Sequence, residues 1–135
     1  MSKIHPVVKK MLEGDEMTRW LDAEVLESNE GYCKVQMEVR KEMANGFNIV
    51  HGGISFSLAD SAIAFAANAY GRHAVSLNTS IRYLNPVFVG DTLIAEAEVV
   101  KLKHKIVNVD ATVMNQNGEK VADLQASGYR KSEQW

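Results

Sequence analysis

Hydrophobic and polar positions alternate strictly over residues 32–39, where Cys33, Val35, Met37 and Val39 fall on one side and Tyr32, Lys34, Gln36 and Glu38 on the other. A period of two predicts a strand with one face in a core. Residues 20–28 carry a similar pattern, and Asn29-Glu30-Gly31 supplies a hairpin turn between the two runs. Four more strands are predicted at 74–84, 92–102, 105–115 and 120–130, with turns at Lys103-His104 and Asn117-Gly118. The period changes to that of a helix in two places. Ile4, Val7, Val8, Met11 and Leu12 repeat at helical spacing, with Pro6 suited to a first turn. Residues 53–70 then place apolar side chains on nearly every side of a helix about 27 Å long, with Gly71 as a left-handed stop. Such a helix should be buried rather than laid on a surface. The stretch between, 41–50, is weakly periodic and contains the turn signal Asn45-Gly46.

One substantial helix among six strands does not fit parallel βαβ repetition, and the class is α+β. Leu93, Ala95, Ala97 and Val99, with Val107, Val109, Ala111 and Val113, can cover that helix, while Glu96, Glu98, Asn108 and Asp110 face elsewhere. The economical arrangement is a long curved antiparallel sheet of about six strands wrapped around the central helix. Such a sheet keeps open edges, and joining a second copy edge to edge would satisfy one of them.

The length of 135 residues suits a single domain, with 1–19 as an N-terminal helical segment, 20–130 as the core and 131–135 as a short tail. A composition of 46% hydrophobic and 24% charged residues argues against extensive disorder. The net charge of -2, from 15 basic and 17 acidic groups, gives no field for gripping nucleic acid. Cys33 stands alone, which rules out an internal disulfide framework and a thiolate-rich metal site. No long uncharged apolar run is present, Asp60 interrupting the most apolar helix, so a cytoplasmic protein with no membrane segment is expected.

Asp60 is the residue that stability does not explain. An ionised carboxylate among alanines is costly unless it is paired, hydrogen-bonded or beside a wet pocket. The bland alternative is a packing role through Ser57, Ser61 or a neighbouring strand. At the start of the same helix, His51-Gly52-Gly53 offers free N–H groups and the positive end of the helix dipole to a developing oxyanion. Glycines there let a carbonyl approach the backbone, although they could equally serve only as a tight helix entry. Asp60 lies about 10 Å along the axis from Gly53, too far for one reacting group to meet both in one chain. Two helices meeting across a twofold axis would close that gap.

The run from Asn45 to Gly53, followed by Leu58-Ala59-Asp60-Ser61, together with Ser76-Leu77-Asn78, Tyr83-Leu84-Asn85-Pro86 and Gly90-Asp91, resembles the hotdog-fold acyl-CoA thioesterases. Within them the similarity is to the PaaI-like, phenylacetate-degradation family, and it spans approximately residues 20–130. The resemblance implies a hotdog fold and a homodimer that assembles into a homotetramer. It assigns Asp60 as general base or nucleophile across the subunit interface, with the Gly52 backbone N–H as oxyanion donor and Asn45 beside it. Ser76 matches a hydroxyl that holds the attacking water in some relatives, while His51 and Gly53 order the loop.

On that basis the substrate is an acyl-CoA, with an aryl-acetyl or hydroxyphenylacetyl group expected and a medium-chain acyl group as the alternative. Phe56, Ile63, Phe65 and Tyr83 could line the acyl pocket between subunits, each being equally explicable as core. Arg82, Lys101, Lys103, Lys105 and Arg130 are candidates for the CoA phosphates. No separate cofactor or metal is implied, coenzyme A being part of the substrate. A hotdog hydratase or dehydratase would require a second acid/base group near Asp60, where the helix offers Phe65 and no histidine. A noncatalytic acyl-CoA-binding protein remains the non-enzymatic alternative.

Overall fold

A computed structural model describes residues 3–135. Two short helices, α1 (Pro6–Glu13) and α2 (Glu16–Leu21), precede strands β1 (Glu24–Asn29) and β2 (Tyr32–Glu38). A single 3₁₀ turn, Lys41–Met43, leads into the central helix α3 (Gly52–Asn68). Strands β3 (Arg72–Tyr83), β4 (Thr92–Lys103), β5 (Ile106–Met114) and β6 (Lys120–Gln134) complete the chain. All six strands form one antiparallel sheet in the order β1-β2-β4-β5-β6-β3. Because α3 touches every strand, the sheet curves around it, which is the hotdog arrangement expected.

The core is the interface between helix and sheet. Leu58, Ala59, Ala62, Phe65 and Ala66 of α3 pack fully buried against Leu93, Ala95 and Ala97 of β4 and Val107, Val109, Ala111 and Val113 of β5. Val99, expected among them, is only half-buried, because the register slips between Val99 and Lys101. The helix is not buried all round. Gly52, Phe56, Asp60 and Ala64 recur every fourth residue with intermediate exposure, as do Gly53, Ser57 and Ser61. Residues four apart share a helix face, so one stripe of α3 is left uncovered by this chain's own sheet.

Three boundaries differ from the sequence pattern. Trp20 and Leu21 close α2 instead of opening a strand. Asp15 caps that helix, accepting from the Thr18 N–H at 2.9 Å, and Asp22 ends it in the left-handed conformation (φ 54°). The central helix starts at Gly52 and stops at Asn68, with Gly71 at φ +101° just beyond. Residues 131–134 are not a tail but the end of β6, Gln134 pairing with Arg72. Backbone pairing does not read side chains, so this polar strand end gave no alternation to detect. Trp135 finishes the chain by docking on the end of α3. Its N–H donates to the Gly71 carbonyl at 2.9 Å, its indole to Asn68 Oδ1 at 2.9 Å, and its ring lies 4.1 Å from that of His73.

The two sheet edges are unlike. Strand β1 is six residues long, bulged between Val25 and Glu27, and crossed by the N-terminal segment, whose Lys3 carbonyl accepts from the Ser28 N–H at 3.0 Å. Strand β3 is twelve residues long, pairs only with β6 among the described residues, and exposes Val75 and Leu77. No helix among the described residues is long and apolar enough to cross a membrane.

Candidate active site

The tip of α3 is held from three directions. His51 is the N-cap, its Nδ1 accepting from the Gly53 N–H at 2.9 Å while its carbonyl accepts from the Ile54 N–H at 2.9 Å. Asn45 folds the approaching loop, its Oδ1 accepting from the N–H groups of Phe47 at 2.8 Å and Ile49 at 3.3 Å. That loop places Phe47, 84% exposed, outward, and Asn48 at φ +63°. From the end of β3, the Tyr83 hydroxyl donates to the Gly52 carbonyl at 2.9 Å. After these bonds, the Gly52 N–H has no partner among the described residues. An unsatisfied N–H in the first turn of a helix is a ready acceptor of negative charge on oxygen.

A side chain at position 52 would displace the Tyr83 phenol from this place. A Cβ there would lie 2.9 Å from Tyr83 Oη and 3.0 Å from its Cζ. A groove of about 400 Å³ opens beside this tip, lined by Gly52, Tyr83 and the apolar Ile49, Val50, Leu84 and Val87.

Asp60 lies eight residues from Gly52 on the same helix, about 12 Å along its axis. Its carboxylate makes no hydrogen bond or ion pair among the described residues, and burial pushes its pKa above the ordinary 3.8. The adjacent Ser61 faces the N-terminal segment, its hydroxyl 3.1 Å from that of Thr18. One turn beyond Asp60, Ile63 and Ala64 meet Ser76 of β3 around a small apolar void with Val75, Val107 and Val109. Gly128, opposite Ser76 in register, keeps β3 close there, since a Cβ at that position would lie 3.1 Å from the Val75 carbonyl oxygen.

The expected site residues therefore form two clusters. Asn45, His51, Gly52, Gly53 and Tyr83 gather at the helix tip, whereas Ile63 and Ser76 gather beside the helix past Asp60. Phe56 is half-buried on the same stripe as Asp60, and Phe65 is fully buried in the core. Along β3, Ser76 and Tyr83 are seven residues, about 23 Å, apart. Lys103 and Lys105 flank the exposed β4–β5 turn at His104, and the register Ile106–Tyr129–Val75 puts that turn at the Ser76 end of the sheet. Arg130 reaches the same turn, donating from Nη1 to the His104 carbonyl at 3.2 Å. Arg82 lies on the outer face of the sheet, where Nε and Nη2 donate to the two carboxylate oxygens of Asp123 at 3.0 and 2.7 Å. The Arg82 guanidinium holds the Asp123 carboxyl below its usual range.

Two features went unread in the sequence. The half-exposed stripe had a signal, the polar spacing Ser57, Ser61 beside Gly52, Phe56, Asp60. The bond from Tyr83 to Gly52 joins residues 31 apart and had none.

The fold and this arrangement define a hotdog protein whose central helix presents a free backbone donor and a half-buried carboxylate. Residues 47–122 match the model of the thioesterase superfamily. A putative esterase of Archaeoglobus fulgidus is 41% identical over 91% of this chain and 80% of its own. The acyl-coenzyme A thioesterase PaaI of Escherichia coli is 37% identical over 89% of this chain and 86% of its own. The solved structure of the Escherichia coli PaaI protein, from the phenylacetic acid degradation operon, superposes with a TM-score of 0.93, covering 95% of this chain and 93% of that one. The chain belongs to the thioesterase superfamily, in its PaaI-like branch. Its activity is that of the class, hydrolysis of acyl-CoA thioesters.

Proposed function

We propose that two copies of this chain share each reaction centre and that the acyl group removed from CoA is an aryl-acetyl group. The observation that carries this reading is the partition of the tip's hydrogen bonds, which leaves the Gly52 N–H unpartnered among the described residues. The thioester carbonyl takes that donor, with the Asn45 side chain beside it. Asp60 of the facing subunit draws a proton from water, or attacks the carbonyl itself, and Ser76 holds the water. When water attacks, collapse of the tetrahedral oxyanion releases a carboxylate and CoA-SH, the thiolate taking the proton that Asp60 drew from water. When Asp60 attacks, collapse expels CoA as the thiol and leaves an acyl-aspartyl anhydride, which water then cleaves to the carboxylate and regenerated Asp60. Removing one such oxyanion donor typically slows turnover by about 10²–10³.

Strand β3 supports the shared centre. It is an open edge with Ser76 toward one end and Tyr83 at the other. Antiparallel pairing of two β3 strands about residues 79–80 would bring Ser76 of one copy beside the helix tip of the other. Two such dimers make the tetramer that the family resemblance implies, in the cytoplasm. For the acyl group, the groove at the tip is of ordinary small-ligand size and largely apolar. Phe56 and Tyr83 add aromatic faces, and one close relative is a protein of a phenylacetic acid degradation operon. Lys103 and Lys105 at the exposed turn meet the CoA phosphates, Lys105 leaving its place 6.0 Å over the Tyr129 ring, whereas Arg82 is already held by Asp123.

Thiol release from a panel of aryl and aliphatic acyl-CoAs tests the reading in the intact protein and in Asp60→Asn. Phenylacetyl or hydroxyphenylacetyl-CoA should be cleaved fastest, and the substitution should lower the rate about 10²–10⁴-fold with assembly retained. Equal rates for the two proteins would defeat the role of Asp60. A preference for medium-chain substrates would defeat the aryl assignment alone.

A further inference from the structure

We propose that Tyr83 is a positioning residue for the thioesterase reaction, its hydroxyl fixing the helix tip so that the Gly52 N–H stays aimed at the oxyanion. This deepens the assignment of Gly52 as donor and rests on it. Position 83 would otherwise be read as one more aromatic in an acyl pocket, but the geometry separates its two parts. The ring is exposed enough to line the groove, at 56%, while the hydroxyl is committed to the Gly52 carbonyl at 2.9 Å. Within the helix that carbonyl also faces the turn above, and a carbonyl has a second lone pair with which to accept the phenol.

The peptide plane between Gly52 and Gly53 is thereby held at both ends. Tyr83 takes its carbonyl and His51 Nδ1 takes its N–H at 2.9 Å. The donor sits on the plane immediately before it, hinged at the Gly52 Cα. Glycine is the residue with the widest backbone freedom, and two in succession at a helix end would let the free N–H swing. The phenol and the imidazole supply the restraint that the missing side chains do not. The lack of a Cβ at position 52 is part of the same device, since a Cβ would meet the phenol oxygen at 2.9 Å. A donor that is already oriented needs no reorganisation when charge develops, and so acts on the transition state more than on substrate binding.

The experiment compares Tyr83→Phe, Tyr83→Leu, Gly52→Ala and Gly52→Ala/Tyr83→Phe, with kcat and KM measured separately on the best acyl-CoA and assembly checked by gel filtration. Tyr83→Phe should lower kcat about 3–10-fold, the worth of one neutral hydrogen bond, and leave KM unchanged. Tyr83→Leu should fall by a similar factor, because both variants lack the hydroxyl. In the Gly52→Ala background, removing the hydroxyl should bring no further loss. Parental kcat in Tyr83→Phe overturns the inference, as does a loss confined to KM or seen only in Tyr83→Leu, which would mark the ring as a mere wall. If Gly52→Ala itself keeps full kcat while assembled, the donor assignment falls instead. An inactive Gly52→Ala beside an unimpaired Tyr83→Phe would sink the positioning role alone.

Discussion

The two ends of α3 are both tied down by side chains bonded to backbone, yet they finish with opposite balances. At the C-terminal end Asn68, 2% exposed, donates to the carbonyls of Ala64 at 2.8 Å and Ala74 at 3.1 Å, and accepts from the Ala74 N–H and the Trp135 indole at 2.9 Å each. Trp135 and Gly71 close the remaining gap. At the N-terminal end His51 and Tyr83 make equally good bonds, but the Gly52 N–H is left over among the described residues. A buried end must satisfy its polar groups within the chain. An exposed end can hold one in reserve, and the proposed reaction draws on that reserve. The contrast separates a helix terminus closed for stability from one left open, which the proposed function assigns to reaction.

The largest expected effect tests whether the reserved donor serves another chain. Asp60→Asn and a bulky Gly52→Val variant should each be almost inactive alone. Co-refolded in equal amounts, they should recover about a quarter of parental thiol release, since random pairing makes half the dimers mixed and each mixed dimer keeps one intact site. No recovery would mean that donor and carboxylate act within one chain. At the closed end, Asn68→Leu should lower unfolding stability in urea by about 2–4 kcal/mol by orphaning buried donors and acceptors, with turnover per folded site retained. A matching loss of turnover would blur the distinction between the ends. Trp135→Phe, which removes the indole donor and keeps an aromatic ring beside His73, should lower stability by about 0.5–1.5 kcal/mol in the same measurement.

The smallest effect is one of sign. Burial raises the Asp60 pKa in the folded chain above its unfolded value. Its proton is therefore held more tightly by the folded state, and folding is opposed once pH exceeds the unfolded value, the opposition becoming constant above the raised one. Asp60→Asn should accordingly melt higher than the parent at pH 7, the gap closing as pH falls below about 4. A variant that melts lower at neutral pH would show Asp60 to be a stabilising partner in the fold. The same shift should carry the acid limb of the activity profile above that of an ordinary carboxylate.

Most of the architecture was legible because it is written in periods. The alternation of β2, β4 and β5 and the continuous apolar helix forced one sheet around one helix. What escaped obeys other rules. The short α2 is specified by the cap at Asp15 rather than by an apolar stripe, and residues 131–134 pair through backbone alone. In the site, Asp60 and His51-Gly52-Gly53 stood out because each violates a stability rule, a carboxylate among alanines and two glycines opening a helix. Their separation along the helix followed from the rise per residue, whereas the reach of Tyr83 to Gly52 depends on how a strand end returns to a helix tip. No local pattern encodes that return.

The unequal margins of the sheet have a consequence for growth. The β1 margin is short, kinked and crossed by the chain's own beginning, while the β3 margin is long and bare. A molecule with a single adhesive margin that pairs with its own image has nothing left to offer a third copy along that direction. With the β3 pairing proposed above, extension would stop at two, so even a crowded solution should yield discrete particles and not ribbons.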